Sequence, residues 1–271
     1  MFEFEPLTER CGGLLPTACH VCIGVSPFNS YFSTPRLRRM ADWALTRFGN
    51  VHFFVPDALA ACTLEALGYE PDHARRKARR QGQYVHNKIA TALSALGVEN
   101  PRRLILGMDR LYATPRYVTL LDDAYRCFRE DEEFRAACLD ATHWVLEQKL
   151  APGTTASQEQ LRGAVRYFLG ELPLFADAGG IAASIAGVPG VPGVPSTPGV
   201  PDVGGHSPSF FVYHQRVGFL ERFFARELAW RPVEGQGFLV VRDPVRPPAG
   251  VPGAEHPAET ARALEVAHGI A

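Results

Sequence analysis

No acidic residue occurs between His73 and Val98, a gap that stands out in a 271-residue chain whose formal net charge is only −1. Methionine and tryptophan are scarce, with three of each. No apolar run approaches the roughly 18 residues of a membrane span. The acidic start (Glu3, Glu5, Glu9) is followed by no apolar segment of signal-peptide length. The expected location is therefore the cytoplasm, with no membrane partner. There the six cysteines (Cys11, Cys19, Cys22, Cys62, Cys127, Cys138) are reduced, partly buried thiols rather than a disulfide framework. Cofactor signatures are missing as well. The chain has no Walker-type phosphate loop, no Gly-x-Gly-x-x-Gly, and neither the His-x-Gly-His nor the Lys-Met-Ser-Lys-Ser signature of an ATP-using tRNA synthetase. Cys19-His20-Val21-Cys22 has CxxC spacing, but no second pair follows at a zinc-site distance. Neither a metal nor an ATP or NAD cofactor is expected.

What is present fits a globular protein with a sizeable core: 46% hydrophobic and 21% charged residues. Residues 19–25 form a short, β-prone apolar run that ends at Ser26-Pro27, where the proline removes a ladder donor. Ser33 or Thr34 then offers a helix N-cap, with Pro35 at a favoured first position. Leu37, Met40, Trp43, Ala44 and Phe48 follow at roughly helical spacing. A second strand is expected at Val51–Val55, a third at Arg103–Met108, and the last two at Ser209–Tyr213 and Gly237–Val241. Helices are expected over 58–67, 72–97, 115–129, 131–149 and 157–172. Strands alternating with helices predict an α/β fold: a Rossmann-like three-layer α/β/α sandwich with a mostly parallel sheet. The expected organisation is one catalytic domain over residues 1–245, interrupted by a Gly/Val/Pro-rich loop at 187–206 and followed by a flexible tail at 246–271.

Four groups carry candidate chemistry. Ser26 stands at the carboxyl end of the first expected strand, where open parallel sheets bind ligands, with Gly24 permitting close approach. It is a nucleophile or anion site, or it simply ends the strand. Its surroundings are not the Gly-x-Ser-x-Gly elbow of α/β-hydrolases, because Phe28 stands at the second glycine. Arg75, Arg76, Lys77, Arg79 and Arg80 make a basic helical face, with Arg75/Arg79 and Arg76/Arg80 four apart. Such like-charge pairs repel, so the face suits a polyanion such as a nucleic-acid backbone, or is merely solvated. Tyr167 and Glu171 are also four apart on one helix, before an apolar run, and suit an ammonium group or a surface pair. Tyr213-His214 closes an apolar strand, as a proton relay or as two groups that satisfy each other.

Taken together, these groups resemble the tRNA-dependent cyclodipeptide synthases. The resemblance rests on Gly24-Val25-Ser26-Pro27-Phe28-Asn29-Ser30-Tyr31-Phe32-Ser33, on Leu64-Glu65-Ala66-Leu67-Gly68 with the basic helix after it, on Tyr167-x-x-x-Glu171-Leu172-Pro173-Leu174-Phe175, and on Tyr213-His214. It runs over roughly residues 18–242. The resemblance implies a fold like the catalytic domain of class I aminoacyl-tRNA synthetases, the tyrosyl and tryptophanyl enzymes in particular. Asn29, Tyr213 and His214 match the Asn-Tyr-His subfamily. By that analogy Ser26 accepts an aminoacyl group from one aminoacyl-tRNA, in a ping-pong reaction that couples it to a second and cyclises to a 2,5-diketopiperazine without ATP. Tyr167 and Glu171 would hold the amino group, Tyr213 would assist proton transfer, and Asn29 and His214 would position it. Cys22, Gly24, Leu174 and Phe211 would line the pocket for the first side chain, and Arg75, Arg76, Lys77, Arg79 and Arg80 would bind tRNA. The implied partners are two aminoacyl-tRNAs and downstream diketopiperazine-modifying enzymes, with the protein a monomer. One departure is Gln215-Arg216 after His214, where members of the family often carry an acid.

Two other classes compete with this reading. A non-catalytic RNA-binding protein would use the basic helix and leave Ser26, Tyr167, Glu171 and Tyr213 without a task. A serine acyl hydrolase would need His214 as the base for Ser26.

Overall fold

The computed structural model describes residues 2–151, 153–186 and 208–242. The expected loop at 187–206 and the expected tail at 246–271 lie outside the described residues. In chain order the elements are β1 (Glu3–Pro6), α1 (Glu9–Leu14), β2 (His20–Gly24), α2 (Thr34–Arg47), β3 (Asn50–Phe54), α3 (Ala60–Ala66), α4 (Pro71–Ser94), β4 (Ile105–Leu106), α5 (Met108–Tyr112), α6 (Pro115–Glu130), α7 (Glu132–Glu147), α8 (Gln158–Ala186), β5 (Ser209–Tyr213), α9 (Gly218–Phe224) and β6 (Gln236–Arg242).

The strands form one six-stranded sheet in the order β1-β6-β5-β2-β3-β4. All neighbours are parallel except β1, which pairs antiparallel with β6 at the edge. Every residue of β2 is buried, as expected of a central parallel strand covered on both faces. Its register places Cys22 beside His52 and Phe211, and Gly24 beside Phe54. The chain leaves β2 towards β3 and later returns to its other side as β5. The order therefore reverses between β2 and β5, and the carboxyl ends of those two strands form the crevice in which such sheets hold ligands. This is the α/β sandwich expected from the sequence.

Local chemistry explains the boundaries. Ser33 caps α2, its hydroxyl accepting from Arg36 N at 3.4 Å, with Pro35 in the first turn. Asp131 caps α7 in the same way through Phe134 N at 2.7 Å. The face that α4 buries is built from Ala74, Ala78, Gly82, Val85 and Ile89, and its small residues let α3 approach closely. At the amino ends of the strands, His20 bonds Ser209 of β5 at 2.7 Å and His52 of β3 at 3.0 Å, tying three strands together. Burial pushes both imidazoles below their ordinary range, His52 to about 4, so the chain is neutral at ordinary pH.

Three expectations need correction. The strand placed at 103–108 is only Ile105–Leu106, because Pro101–Leu104 winds into a 3-10 turn first. The helix placed at 157–172 runs on through Pro173 to Ala186, broken only at Asp177 (φ −160°, ψ 65°). Asp177 ends one helical stretch and caps the next, accepting from Gly180 N at 2.8 Å. Its buried carboxylate is held by Arg116 at 2.6 and 2.7 Å, while Gln236 accepts from Ala178 N at 2.8 Å. Third, β1 was not expected. Its Phe4 stacks on Trp43 of α2 at 3.5 Å between ring centroids, and its Glu5 accepts from Arg242 of β6 at 2.8 Å. By length and composition α8 is apolar enough to cross a membrane, but 67% of that stretch is buried in the fold, as in a core helix.

The Asp177 junction yields a stability prediction. Asp177→Ala removes a cap and leaves Arg116 unpaired, at a cost of about 2–4 kcal/mol in chemical denaturation. Asp177→Asn keeps an acceptor for Gly180 and loses less. Equal losses for the two variants would assign the effect to the lost pairing with Arg116 rather than to the cap.

Candidate active site

The crevice between β2 and β5 receives Ser26 from one strand end and Tyr213 from the other. Their hydroxyls lie 2.8 Å apart, although 187 residues separate them in sequence. A second phenol, Tyr167 of α8, points its hydroxyl at Ser26 Oγ from 3.4 Å. Glu171 follows one helical turn later on the same face and hydrogen-bonds with Tyr167. Burial pushes the Glu171 carboxyl up to about 8, against the pull of that hydrogen bond. Burial also raises both tyrosines, and the nearby Glu171 charge adds to it. Both phenols are therefore neutral hydroxyls near pH 7, able to donate or relay a proton but poor as bases.

The segment after Ser26 is held at several points. Asn29 Oδ1 accepts from Tyr31 N at 3.0 Å, an Asx-type turn, while its Nδ2 lies 3.3 Å from His214 Nε2. The ring of Tyr31 stacks on His214 (4.2 Å between centroids, 18°), and Phe32 meets the same imidazole edge-on at 5.2 Å. Arg36 places its guanidinium 4.1 Å from the Tyr31 ring and donates to the Tyr31 carbonyl at 3.0 Å. Lys88 of α4 donates to the Phe32 carbonyl at 3.3 Å, linking the basic helix to the Ser26 loop. Within this loop Phe28 has φ 61°, a left-handed conformation that costs a bulky residue about 1–2 kcal/mol.

The structure thus brings Ser26, Tyr167, Glu171, Tyr213, Asn29 and His214 into one connected site. The four side-chain-pocket candidates lie in the core, with Gly24 against Phe211 and Tyr213. Cys22, Leu174 and Phe211 are fully buried, and a Cβ on Gly24 would come within 2.7 Å of the Phe211 ring and 3.3 Å of Tyr213. The missing side chain at Gly24 therefore makes room for the protein's own rings. Phe211 packs against Phe54, Phe175 and Phe238, so the floor of the site is aromatic. Arg216, the departure after His214, pairs with Glu221 at 3.1 Å and approaches Glu5 at 4.0 Å. It belongs to a charge cluster with β1 and α9.

The basic face lies apart from this crevice, on the outside of α4. Arg75, Arg76, Arg79 and Arg80 are exposed, but Arg75 is engaged by Asp72 at 2.6 Å, and Lys77 turns to Tyr69 at 3.0 Å. Arg76, Arg79 and Arg80 have no ion pair among the described residues. With Gln83, Tyr84 and Asn87 they line one shallow depression. Sequence reasoning gave no separate role to Tyr31 or Phe32, and it counted Lys88 only as the end of the basic stretch that suits a polyanion. It also missed Asp57, which follows β3 and pairs with His86 of α4 at 3.2 Å while accepting from Met108 N at 3.1 Å. No local spacing signals that pair, because 29 residues separate its members and only the fold joins them.

Comparison with known proteins adds a family to this geometry. The family model described as cyclodipeptide synthase matches residues 2–189 and 194–243. The chain is 34% identical over 242 residues to the cyclo(L-tyrosyl-L-tyrosyl) synthase of Mycobacterium tuberculosis, a match covering 89% of this chain and 75% of that one. It is 30% identical over 238 residues to the cyclo(L-leucyl-L-phenylalanyl) synthase of Streptomyces noursei, covering 88% and 90%. A solved Mycobacterium tuberculosis structure, described as relating cyclodipeptide synthetases to type I tRNA synthetases, matches with a TM-score of 0.71 at 32% identity. That match covers 89% of this chain and 92% of that one.

Glu171 generates a pH prediction. Between about pH 4.5 and 8 the folded protein keeps a proton on Glu171 that the unfolded chain has released, so this residue lowers stability as pH rises through that window. Glu171→Gln should remove that slope and raise stability at pH 8 by on the order of 3 kcal/mol, while crippling turnover. Thermal melts of both proteins between pH 5 and 8.5 check it; parallel slopes would mean that the carboxyl is not held neutral.

Proposed function

The chain belongs to the cyclodipeptide synthase family, and from that premise we propose that it is a tRNA-dependent enzyme of the Asn-Tyr-His subfamily which carries its first aminoacyl group on Ser26. The observation that carries this reading is the Ser26 hydroxyl lying between the hydroxyls of Tyr213 and Tyr167, with Glu171 one turn further on. A hydrolase would place an imidazole on the serine. Here the motif-linked imidazole, His214, is bonded to Asn29 instead.

The steps follow from the chemistry of esters. Ser26 Oγ attacks the carbonyl of the ester that joins an amino acid to the tRNA ribose. The bond to the ribose oxygen breaks, and the serine proton passes through the Tyr213 hydroxyl to that oxygen. One ester replaces another, so no ATP is needed. The amine of a second aminoacyl-tRNA then attacks the seryl ester, forming an amide and returning a proton to Ser26. Finally the amine of the first residue attacks the ester still joined to the second tRNA, closing the ring and expelling that tRNA. This two-stage path is ping-pong covalent catalysis.

Glu171 suits the amine in these steps. A carboxyl at about 8 is matched to an α-amino group of pKa near 8, so a proton is shared between them at little cost. Tyr167 supports the charged form of that carboxyl and contacts Ser26, placing amine and ester side by side. Arg76, Arg79 and Arg80 supply the phosphate contacts, with Arg75 and Lys77 in support. Cys22, Gly24, Leu174 and Phe211 bound the first side chain. The enzyme acts as a monomer in the cytoplasm, where charged tRNAs are found, and its product passes to diketopiperazine-modifying enzymes.

Expression in a bacterial host, with mass spectrometry of the medium, tests the reaction. A new cyclic dipeptide is expected from the wild type and none from Ser26→Ala. Product that persists in a folded Ser26→Ala protein would remove the covalent intermediate from the mechanism. The basic face is tested separately. Replacing Arg76, Arg79 and Arg80 by alanine should weaken tRNA binding and reduce the slope of log affinity against log salt by roughly 2. An unchanged slope would move the tRNA elsewhere.

A further inference from the structure

The loop that carries Ser26 contains one residue whose conformation works against its own stability. Pro27 and Phe28 occupy the two central positions of a turn, and Phe28 takes φ 61° at the place where a type II turn favours glycine. Tyr31 and Phe32 of the same loop turn inwards onto His214, whereas Phe28 is 38% exposed. A large apolar ring is thus held partly in water, on a strained backbone, two residues from the nucleophile. A glycine there would avoid both costs. Strain of this kind persists at sites where the side chain does something that the relaxed alternative would lose.

The substrate chemistry specifies what lies next to that ring. The acyl carbon that Ser26 attacks is esterified to the ribose of the terminal nucleotide. The base of that nucleotide hangs from C1′, two ring carbons from C3′. Phe28 Cα is at most about 7.6 Å from Ser26 Cα, so a nucleotide placed for transfer brings its base within reach of the ring. Every charged tRNA ends in adenosine, and an aromatic side chain stacks on a purine without needing to read sequence. The route to this point is also marked. From the basic face, Tyr84 (53% exposed) and Lys88 lead along α4. Lys88 Nζ lies 4.5 Å from the Tyr84 ring and also donates to the Phe32 carbonyl at the far end of the Ser26 loop.

We infer that Phe28 is the stacking platform for the terminal adenine of the aminoacyl-tRNA, fixing the ester against Ser26. This rests on the tRNA-dependent reading above. It gives the enzyme a contact common to both of its substrates, whatever amino acids they carry, and it assigns the strained backbone to orienting the ring.

The test uses the full chain and an acceptor-stem minihelix, charged with the amino acid identified in the culture product. The minihelix ends either in adenosine or in a ribose without a base. The measured quantity is the single-turnover rate of adduct formation on Ser26, read by protein mass. For the wild type and for Phe28→Trp, the adenosine helix should react roughly 5- to 100-fold faster than the abasic one. For Phe28→Gly and Phe28→Leu that ratio should fall to near one. Leucine keeps the apolar bulk, so loss of the ratio there isolates the planar face from loop packing. Phe28→Gly should melt no lower than wild type, because glycine relieves the backbone. An unchanged ratio in Phe28→Gly and Phe28→Leu overturns the stacking role while leaving the Ser26 reaction intact. No adduct from the wild type with either helix overturns the underlying function and the Phe28 role together.

Discussion

The parallel pairing of β2 with β5 is the constraint on which the site depends. Ser26 and Tyr213 follow directly from those two strands, and their hydroxyls meet only because Cys22 lies beside Phe211 and Ile23 beside Val212. A slip of one residue would turn every side chain of one strand to the opposite face of the sheet. Two devices guard against it. At the amino ends, His20 bonds both Ser209 and His52, so a shifted register would bury unpaired polar atoms. At the carboxyl ends, the Phe211 ring fills the volume that Gly24 leaves open, and a side chain from any other residue there would collide with it.

Around that constraint the rest of the molecule acts as a holder. The broad apolar surface of α8 fixes Tyr167 and Glu171 over the crevice, and the Asp177 junction ends that rigid stretch beyond them. The loop after Ser26 is pinned from within by Asn29, and from two helices by Arg36 of α2 and Lys88 of α4. Lys88 links the two regions, since its helix presents Arg76, Arg79 and Arg80 to solvent while its own ammonium holds the loop that carries Ser26. The outer basic face and the inner hydroxyl cluster are therefore parts of one scaffold.

How much of this could be read in the sequence follows from how local each signal is. β2 and β3 announce themselves as short apolar runs ending in turn chemistry, and α2, α4 and α6 by a period that the buried faces keep. β1 was missed although Phe2, Glu3, Phe4 and Glu5 alternate, because a period of two over four residues is too short to stand out. The run beyond Leu172 lost its helical signature because α8 is apolar on nearly every side there, and Pro173 reads as a stop. Of the site, the motif residues were legible because the family resemblance carried them. The partners of the basic run were not. Asp72 sits just outside the acid-free stretch, so the sequence suggested five available cations where the fold engages Arg75 and Lys77. The link from Lys88 to Phe32 and the pair formed by Asp57 and His86 depend on tertiary contact alone.

The burial of Glu171 has a consequence for substrate choice. A carboxyl held near 8 by desolvation is relieved when a positive amine arrives beside it, and by nothing uncharged. On the proposed reading, an aminoacyl group whose nitrogen is already acylated, such as the formylated methionine of translation initiation, brings no charge to that position. It also cannot supply the nucleophile that closes the ring. On that reading the buried carboxyl favours aminoacyl groups whose nitrogen is free over those whose nitrogen is acylated.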